Sequence, residues 1–311
     1  MKELPTLGGS FSNGFGGVND RGWVTGDANL AGDQTEHGFL FRDGVMVDLG
    51  TLGGLNSSVS FPVKDARGLV TGVAQTATFD PLREFWGSGF FCTSMNCAGF
   101  ENLEVGFRWQ DGVMTALPTL GGNNGAAQGV NNRGQVVGVA ETAIQDPSCS
   151  LPQELDFEAV IWGPKPGQIQ VLPPFPGDSV AAALAINDNG QVVGISGVCQ
   201  VPSVFFPGFG VHAVLWQHGT ISEPAGPPMR GTMSNSANAI NNRGQVVGES
   251  NLPDDSATHA FLLEKGVLTD LGTLPGDLNS TANDINSKGQ VVGTFATSTS
   301  TAAHFFGKTG L

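Results

Sequence analysis

The residue types in this chain that could do acid–base chemistry are carboxylates. Glycosidic hydrolysis needs two of them about 5–10 Å apart, one as acid and one as base or nucleophile. Ten acids flank the variable loops of the chain, among them Asp80 and Glu84. Glu141, Glu249 and Asp27 are the candidate catalytic acids for a polysaccharide hydrolase or lyase. With 28 acids against 14 bases, a solvated surface carboxylate is the competing reading for each.

Other chemistry finds less support. His37, His212, His259 and His304 recur at one position of a repeated segment, and His218 lies in a turn. A metal or catalytic histidine would occur once, so these read as structural groups that hydrogen-bond a neighbouring loop or turn, and no metal site is expected. The single Gly208-Phe209-Gly210 lacks the third glycine and the helix of a dinucleotide site, and no cofactor is expected. No G-x-S-x-G nucleophile elbow is present. Arg21, Arg67, Arg133 and Arg243 all precede the glycine of one repeated turn, which leaves no arginine trio of the kind sialidases set around a carboxylate. Two loops are rich in aromatics: Phe85, Trp86, Phe90 and Phe91 in one, Phe205, Phe206 and Phe209 in the other. Such rings can stack on a sugar or grip an apolar ligand, or fold into a satellite core of their own.

All four cysteines, Cys92, Cys97, Cys149 and Cys199, lie in loops. An even number outside any zinc-type spacing favours disulfides in an oxidising compartment over unpaired thiols. The expected pairs are Cys92–Cys97 within one loop and Cys149–Cys199 between equivalent loops of neighbouring repeats. A net charge of −14 and a pI near 4.5 argue against nucleic acid or an anionic membrane as partner, since both demand a basic face. There is no apolar run long enough to span a bilayer, and Met1–Gly9 reads as strand and turn rather than as a signal peptide. The chain is thus expected to be cytosolic, or a mature extracellular domain whose leader has been removed and a Met added; the cysteines favour the second. Neither ligand nor oligomeric state can be read from the residues.

The elements that must position these groups come from a repeat. Val130–Ala140 (VNNRGQVVGVA), Ile186–Ser196 (INDNGQVVGIS), Ile240–Ser250 (INNRGQVVGES) and Ile285–Phe295 (INSKGQVVGTF) are four copies of one hairpin, with weaker copies at Val18–Ala28 and Val63–Ala74. Gly22, Gly68, Gly134, Gly190, Gly244 and Gly289 mark a period of 45 to 66 residues, in the range of propeller blades. Each repeat reads as a small polar strand, a turn closed by a glycine of positive φ, the strand GQVVG, a variable loop, a third strand such as His259–Leu263, a short turn, and a fourth strand such as VLTDLGTLPG (267–276). Strands two and three are apolar on both faces, as a sheet sandwiched between neighbours requires. The predicted fold is all-β: a single six-bladed propeller over residues 1–311 with four-stranded antiparallel blades. The sixth repeat (about 277–311) lacks a fourth strand, and residues 1–7 supply the missing sequence. The ring is therefore expected to close through the N-terminal strand, which would remove exposed edges.

The copies His259–Phe261 (HAF), Asp270–Leu274 (DLGTL) and Ile240–Gly248 (INNRGQVVG) together resemble the HAF-type bacterial extracellular repeat proteins, over nearly the whole chain. The resemblance implies a secreted or cell-surface protein and no particular activity. Val105 and Glu158 stand where the motif has His. The function expected is a binding or interaction module, for a glycan or another extracellular polymer, acting through the long 2–3 loops; a hydrolase or lyase and a purely structural surface repeat are the alternatives.

Overall fold

The computed structural model describes residues 4–14, 16–19, 21–59, 67–84, 86, 101–149, 151–199, 211–224, 229, 231, 235–296 and, as backbone, 303–308. Among them all regular structure is β-strand, arranged in six antiparallel sheets, none closed into a barrel. The first sheet holds β1 (Gly8–Asn13), β2 (Val24–Leu30), β3 (Glu36–Arg42) and β4 (Val45–Asp48). The second holds β5 (Gly53–Ser58), β6 (Val70–Phe79), β7 (Asn102–Gln110) and β8 (Val113–Ala116). The third holds β9 (Gly121–Val130), β10 (Val136–Gln145), β11 (Leu155–Trp162) and β12 (Ile169–Leu172). The fourth holds β13 (Val180–Ile186), β14 (Val192–Gly197), β15 (His212–Gln217) and β16 (Thr220–Ser222). The fifth holds β17 (Asn235–Ile240), β18 (Val246–Asn251), β19 (Thr258–Glu264) and β20 (Val267–Gly272). The sixth holds β21 (Asn279–Ile285), β22 (Gln290–Ala296) and β23 (Ala303–Lys308). Every sheet is a meander in chain order, so its 1–2 and 3–4 turns share one end and its 2–3 loop lies at the other. The chain divides into two compact units, Met1–Val171 and Leu172–Leu311. No helix among the described residues is long and apolar enough to cross a membrane.

The repeat motif is explained at atomic level. In the third sheet, Asn131 Oδ1 accepts the N–H groups of Arg133 (3.0 Å) and Gln135 (3.1 Å), and Gly134 closes the turn at φ +76°. The asparagine thus supplies from its side chain the acceptors that a tight turn lacks. Asn187, Asn241 and Asn286 repeat the arrangement. In the second unit the turns also bond one another: Asn187 Nδ2 donates to the Asn241 carbonyl and Asn241 Nδ2 to that of Asn286, both at 3.0 Å.

The last glycine of GQVVG has a different cause. Each first strand slips register opposite it, as between Ala237 and Ala239, and drives a carbonyl at the glycine. A Cβ on Gly138, Gly194 or Gly248 would lie 2.0, 2.1 and 1.8 Å from the carbonyl oxygens of Ala126, Ala182 and Ser236. No side chain fits there. The same approach explains the small residues of the first strands: Ala126, Ala182 and Ala237 are all buried.

Three joints between sheets are made by polar side chains reaching out of a first strand, β5, β9 or β21. Asn56 Oδ1 accepts from Glu36 N (3.0 Å), Asn124 Oδ1 from Glu104 N (3.0 Å) and Asn279 Oδ1 from Thr258 N (2.9 Å). Beside them Ser57 Oγ accepts from Gly38 N and Ser280 Oγ from Ala260 N. Each asparagine lies three residues after a glycine (Gly53, Gly121, Gly276), in the TLGG or TLPG segment. Two of the recurring histidines tie a third strand to the fourth within one sheet. His37 Nδ1 bonds Asp48 at 2.8 Å and His259 Nδ1 bonds Asp270 at 2.9 Å, while Asp48 and Asp270 also accept from Gly50 N and Gly272 N. His of HAF and Asp of DLG are therefore two halves of one structural pair; His212 uses Asp178 instead, at 2.8 Å. The His304 side chain lies outside the described residues.

Apolar packing fills the space between these joints. In the first unit Leu40, Leu69, Phe107, Trp109, Val136 and Trp162 share one core; in the second, Val193, Ile240, Val246 and Phe261 belong to one cluster and Val247, Ile285 and Val291 to another. Trp162 and Trp216 bury their rings and donate Nε1–H to the carbonyls of Pro118 (2.9 Å) and Pro173 (2.8 Å). The sixth sheet shows three strands. Residues 4–6 form no strand, Leu7 makes an isolated bridge to Leu30, and residues 1–3 and 309–311 of the expected closure lie outside the described residues.

These contacts rank two glycines. Gly248→Ala forces a methyl onto a carbonyl and should cost about 3 kcal/mol or more, as severe overpacking does. Gly266→Ala, at φ +77° with open space around it, should cost only about 1 kcal/mol of left-handed strain. Urea midpoints of the two variants check the order; equal midpoints would remove the close-approach explanation.

Candidate functional site

In the first unit, the loop end of the second and third sheets encloses a cluster of carboxyls and amides. Asp80 starts it. It follows β6 directly, and its own carboxylate accepts from Leu82 N and Glu84 N, both at 3.0 Å, so the chain turns at once. That turn points Glu84 inward, where Oε1 accepts from Leu155 N (2.8 Å) and Glu154 N (3.0 Å). Glu141, near the end of β10, comes from the other side. Its Oε2 accepts from Asn124 N (2.7 Å) and Asn123 N (3.0 Å). Gln153 joins the two: Nε2 reaches Glu141 Oε1 at 2.9 Å and Glu84 Oε1 at 3.3 Å. Its Oε1 accepts the indole N–H of Trp86 at 2.9 Å, and the Trp86 ring stands edge-on to Phe157, centroids 5.9 Å apart. Asn124 Nδ2 spans Asp80 (3.1 Å) and Glu84 (3.4 Å). A second relay runs across the second sheet, where Asn56 donates to Gln75 and Gln75 to Glu104 Oε1 at 3.0 Å.

The cluster is dry. Glu141 is 0 % exposed and Trp86 4 %, and Asp80, Glu84, Glu104, Asn124 and Gln153 are equally enclosed. Burial therefore dominates the acidity of these groups. It pushes Glu104 up to about 8, helped by the nearby Asp80 and opposed by the Gln75 amide. Burial and then the Glu84 charge push Glu141 up to about 8. Burial also raises Glu84, against the pull of the Leu155 and Glu154 N–H groups. Glu84 and Glu141 lie within hydrogen-bond reach of each other. Two carboxyls so placed cannot both ionise cheaply and hold a proton between them.

The three candidate catalytic acids are not brought together. Asp27 and Glu249 occupy one repeat position, directly after the close-approach glycines Gly26 and Gly248. Both are buried and both hold the first strand of the next sheet: Asp27 Oδ1 accepts Val59 N at 2.6 Å, and Glu249 accepts the Thr281 hydroxyl. Burial raises Asp27 to about 7 against the Val59 and Ser58 bonds, and raises Glu249 against the Thr281 bond. Glu141 alone joins other acids, and there it meets N–H donors and a second carboxyl rather than a cleft. Nearby on β11, burial raises Asp156 to about 6 and Glu158 to about 7.

Of the candidate aromatic platform, Trp86 is an internal anchor; Phe85, Phe90, Phe91, Phe205, Phe206 and Phe209 lie outside the described residues. Cys149 and Cys199 form the expected disulfide, which indicates an oxidising environment; Cys92 and Cys97 lie outside the described residues. A small hollow at the turn end, lined by Trp23, Thr25 and Leu69, has room for about one water. Arg21 and Arg42 lie over the Trp23 ring there, 5.2 and 5.6 Å from its centroid. Sequence reasoning placed Asp80 and Glu84 with Glu141 among the ten acids of the variable loops without pairing them, and left out Glu104, Gln75 and Gln153. One signal was present: Gln75 and Glu141 each stand three residues after a GQVVG-type glycine.

No family model matches the chain, and no curated protein is significantly similar to it.

The raised acids give stability a pH dependence of definite sign. Glu104 and Glu141 ionise near 4.5 when unfolded and about 8 when folded, so between those values the native chain holds more protons than the unfolded one. Stability is then fully present below about 4.5 and falls as pH rises to about 8. Denaturant midpoints should be higher at pH 5 than at pH 8.5. Glu104→Gln should narrow that gap by raising the pH 8.5 midpoint while leaving the pH 5 midpoint nearly unchanged.

Proposed function

We propose that this chain is a binding module, a six-bladed propeller of the HAF-repeat type that takes an extracellular glycan or other polymer on its 2–3 loops. The observation that carries the reading is the asymmetry of the sheets. At one end the turns are short, alike and satisfied by their own asparagines. At the other, β6 and β10 run on past the packed body of their sheets, with Thr76–Phe79 and Thr142–Gln145 emerging from burial. These tips expose Phe79 (43 %) and Ile144 (65 %), and the loop after β10 exposes Leu151 (76 %). Variable loops held by a rigid scaffold are where recognition usually resides. Binding is favoured over hydrolysis because Asp27, Glu141 and Glu249 are enclosed and engaged by the scaffold. The disulfide supports an extracellular setting.

A screen against glycan arrays and soluble polysaccharides tests the reading. Retention of a polysaccharide by the wild type is expected, with at least roughly tenfold weaker binding, the scale of one lost hot-spot contact, for a variant carrying Phe79→Ser and Ile144→Ser, and for one carrying Phe91→Ala and Phe206→Ala. Release of new reducing ends would show the hydrolase instead; no retention at all would leave the structural-repeat reading.

The closed ring is part of the proposal. Its support is the match of residues 1–7 to the fourth-strand sequences and the three-stranded sixth sheet. Deleting residues 1–7 should lower the melting temperature by many degrees, because it exposes an edge and one face of a sheet. A truncated chain that melts like the parent would sink ring closure without touching the binding reading.

A further inference from the structure

We propose that the Glu84–Glu141 pair is a proton-operated clasp. One shared proton holds Asp80–Glu84 and Trp86 against Gln153–Phe157, and its loss as pH rises releases them from the third sheet. The device does not depend on what the loops bind.

The geometry is that of a fastening between two segments distant in sequence. Among the described residues its polar links gather on the two carboxyls and Gln153, beside one from Asn124 Nδ2 to Asp80 at 3.1 Å. Glu84 receives Glu154 N and Leu155 N; Glu141 receives Asn123 N and Asn124 N; Gln153 reaches both acids and receives the Trp86 indole. Among the described residues no cation offsets a second negative charge. Asp80 faces the pair from the same segment and Glu104 faces Asp80 from β7, with its Oε2 buried and unpartnered. Glu154 contributes only its backbone, its side chain turning out to Gln145 at 3.5 Å. Arg83, the arginine of the segment, lies over the Phe79 ring at 5.3 Å. Among the described residues no lysine, arginine or histidine pairs with Asp80, Glu84, Glu104 or Glu141. When the shared proton passes to solvent, two carboxylates are left in contact in a dry site. Parting the segments lets water reach both, and it frees Trp86 from Gln153 and Phe157. Refastening takes the proton back.

Hydrogen exchange and tryptophan emission between pH 6 and 9.5 test this. Protection of the Glu154 and Leu155 amides, corrected for intrinsic exchange, should fall by up to roughly tenfold per pH unit from pH 6 to about pH 8, where one proton is released per opening, and level off above that. The core amide of Val137 should keep its protection, which separates local release from unfolding. Emission should shift to the red over the same range in wild type and not in Trp86→Phe. Glu141→Gln, or Glu84→Gln should the first not fold, removes one charge and should keep the clasp shut throughout; Glu104→Gln should leave the transition in place. Protection independent of pH in the wild type would overturn the clasp. So would a transition that survives in Glu141→Gln or Glu84→Gln, or that vanishes in Glu104→Gln.

Discussion

Everything here depends on how one sheet is tied to the next. A four-stranded sheet that is apolar on both faces cannot stand in water alone. It needs neighbours, and they must arrive in register. The tie is a backbone N–H of a third strand captured by a side-chain oxygen of the following first strand: Glu36 by Asn56, Glu104 by Asn124, Thr258 by Asn279. Such a bond cannot slip by one residue without leaving a buried donor unpaired, which costs about 1–3 kcal/mol. Valine and leucine packing would tolerate small slides that these bonds do not. In the first and fifth sheets a His–Asp pair then locks the fourth strand to its own third strand.

Much of this could be read from the amino acids, for a physical reason. A turn has a short-range code, so the asparagine–glycine spacing located the first hairpins of the third to sixth sheets. Strands apolar on both faces announced sheets stacked on sheets. Cys149 and Cys199 paired as their equivalent loops suggested. What escaped were relations between residues far apart. The glycine of VVG read only as part of the second strand, yet it is fixed by a carbonyl on another strand. The histidines read as structural, but their partner, the aspartate of DLG, could be named only once β3 and β4 were paired. Asp27 and Glu249 looked like surface acids because one sequence position does not reveal the strand lying across it.

The carboxyl cluster makes the same point more sharply. Asp80, Glu104 and Glu141 come from three different elements, and none of them carries a local signature. A mainly polar loop in a strongly acidic chain suggests solvated charge. The scaffold instead draws these acids inward and surrounds them with amides, which serve a carboxyl whether or not it holds a proton. Glutamine and asparagine are the suitable neighbours for that: each offers both a donor and an acceptor. Gln153 uses its two ends in this way, one toward Glu84 and Glu141 and one toward Trp86.

The enclosed acids also alter how the molecule looks from outside. A formal charge of −14 counts every carboxyl as ionised at pH 7. With Glu104 and Glu141 retaining protons to about pH 8, the folded chain carries two fewer negative charges than its composition suggests, and Asp27 and Glu158, near 7, are only partly ionised. The native protein should therefore focus at a higher isoelectric point than its unfolded chain, and migrate toward the anode more slowly than an unfolded chain of equal drag. To an approaching polymer, native and unfolded forms of one sequence present different charges.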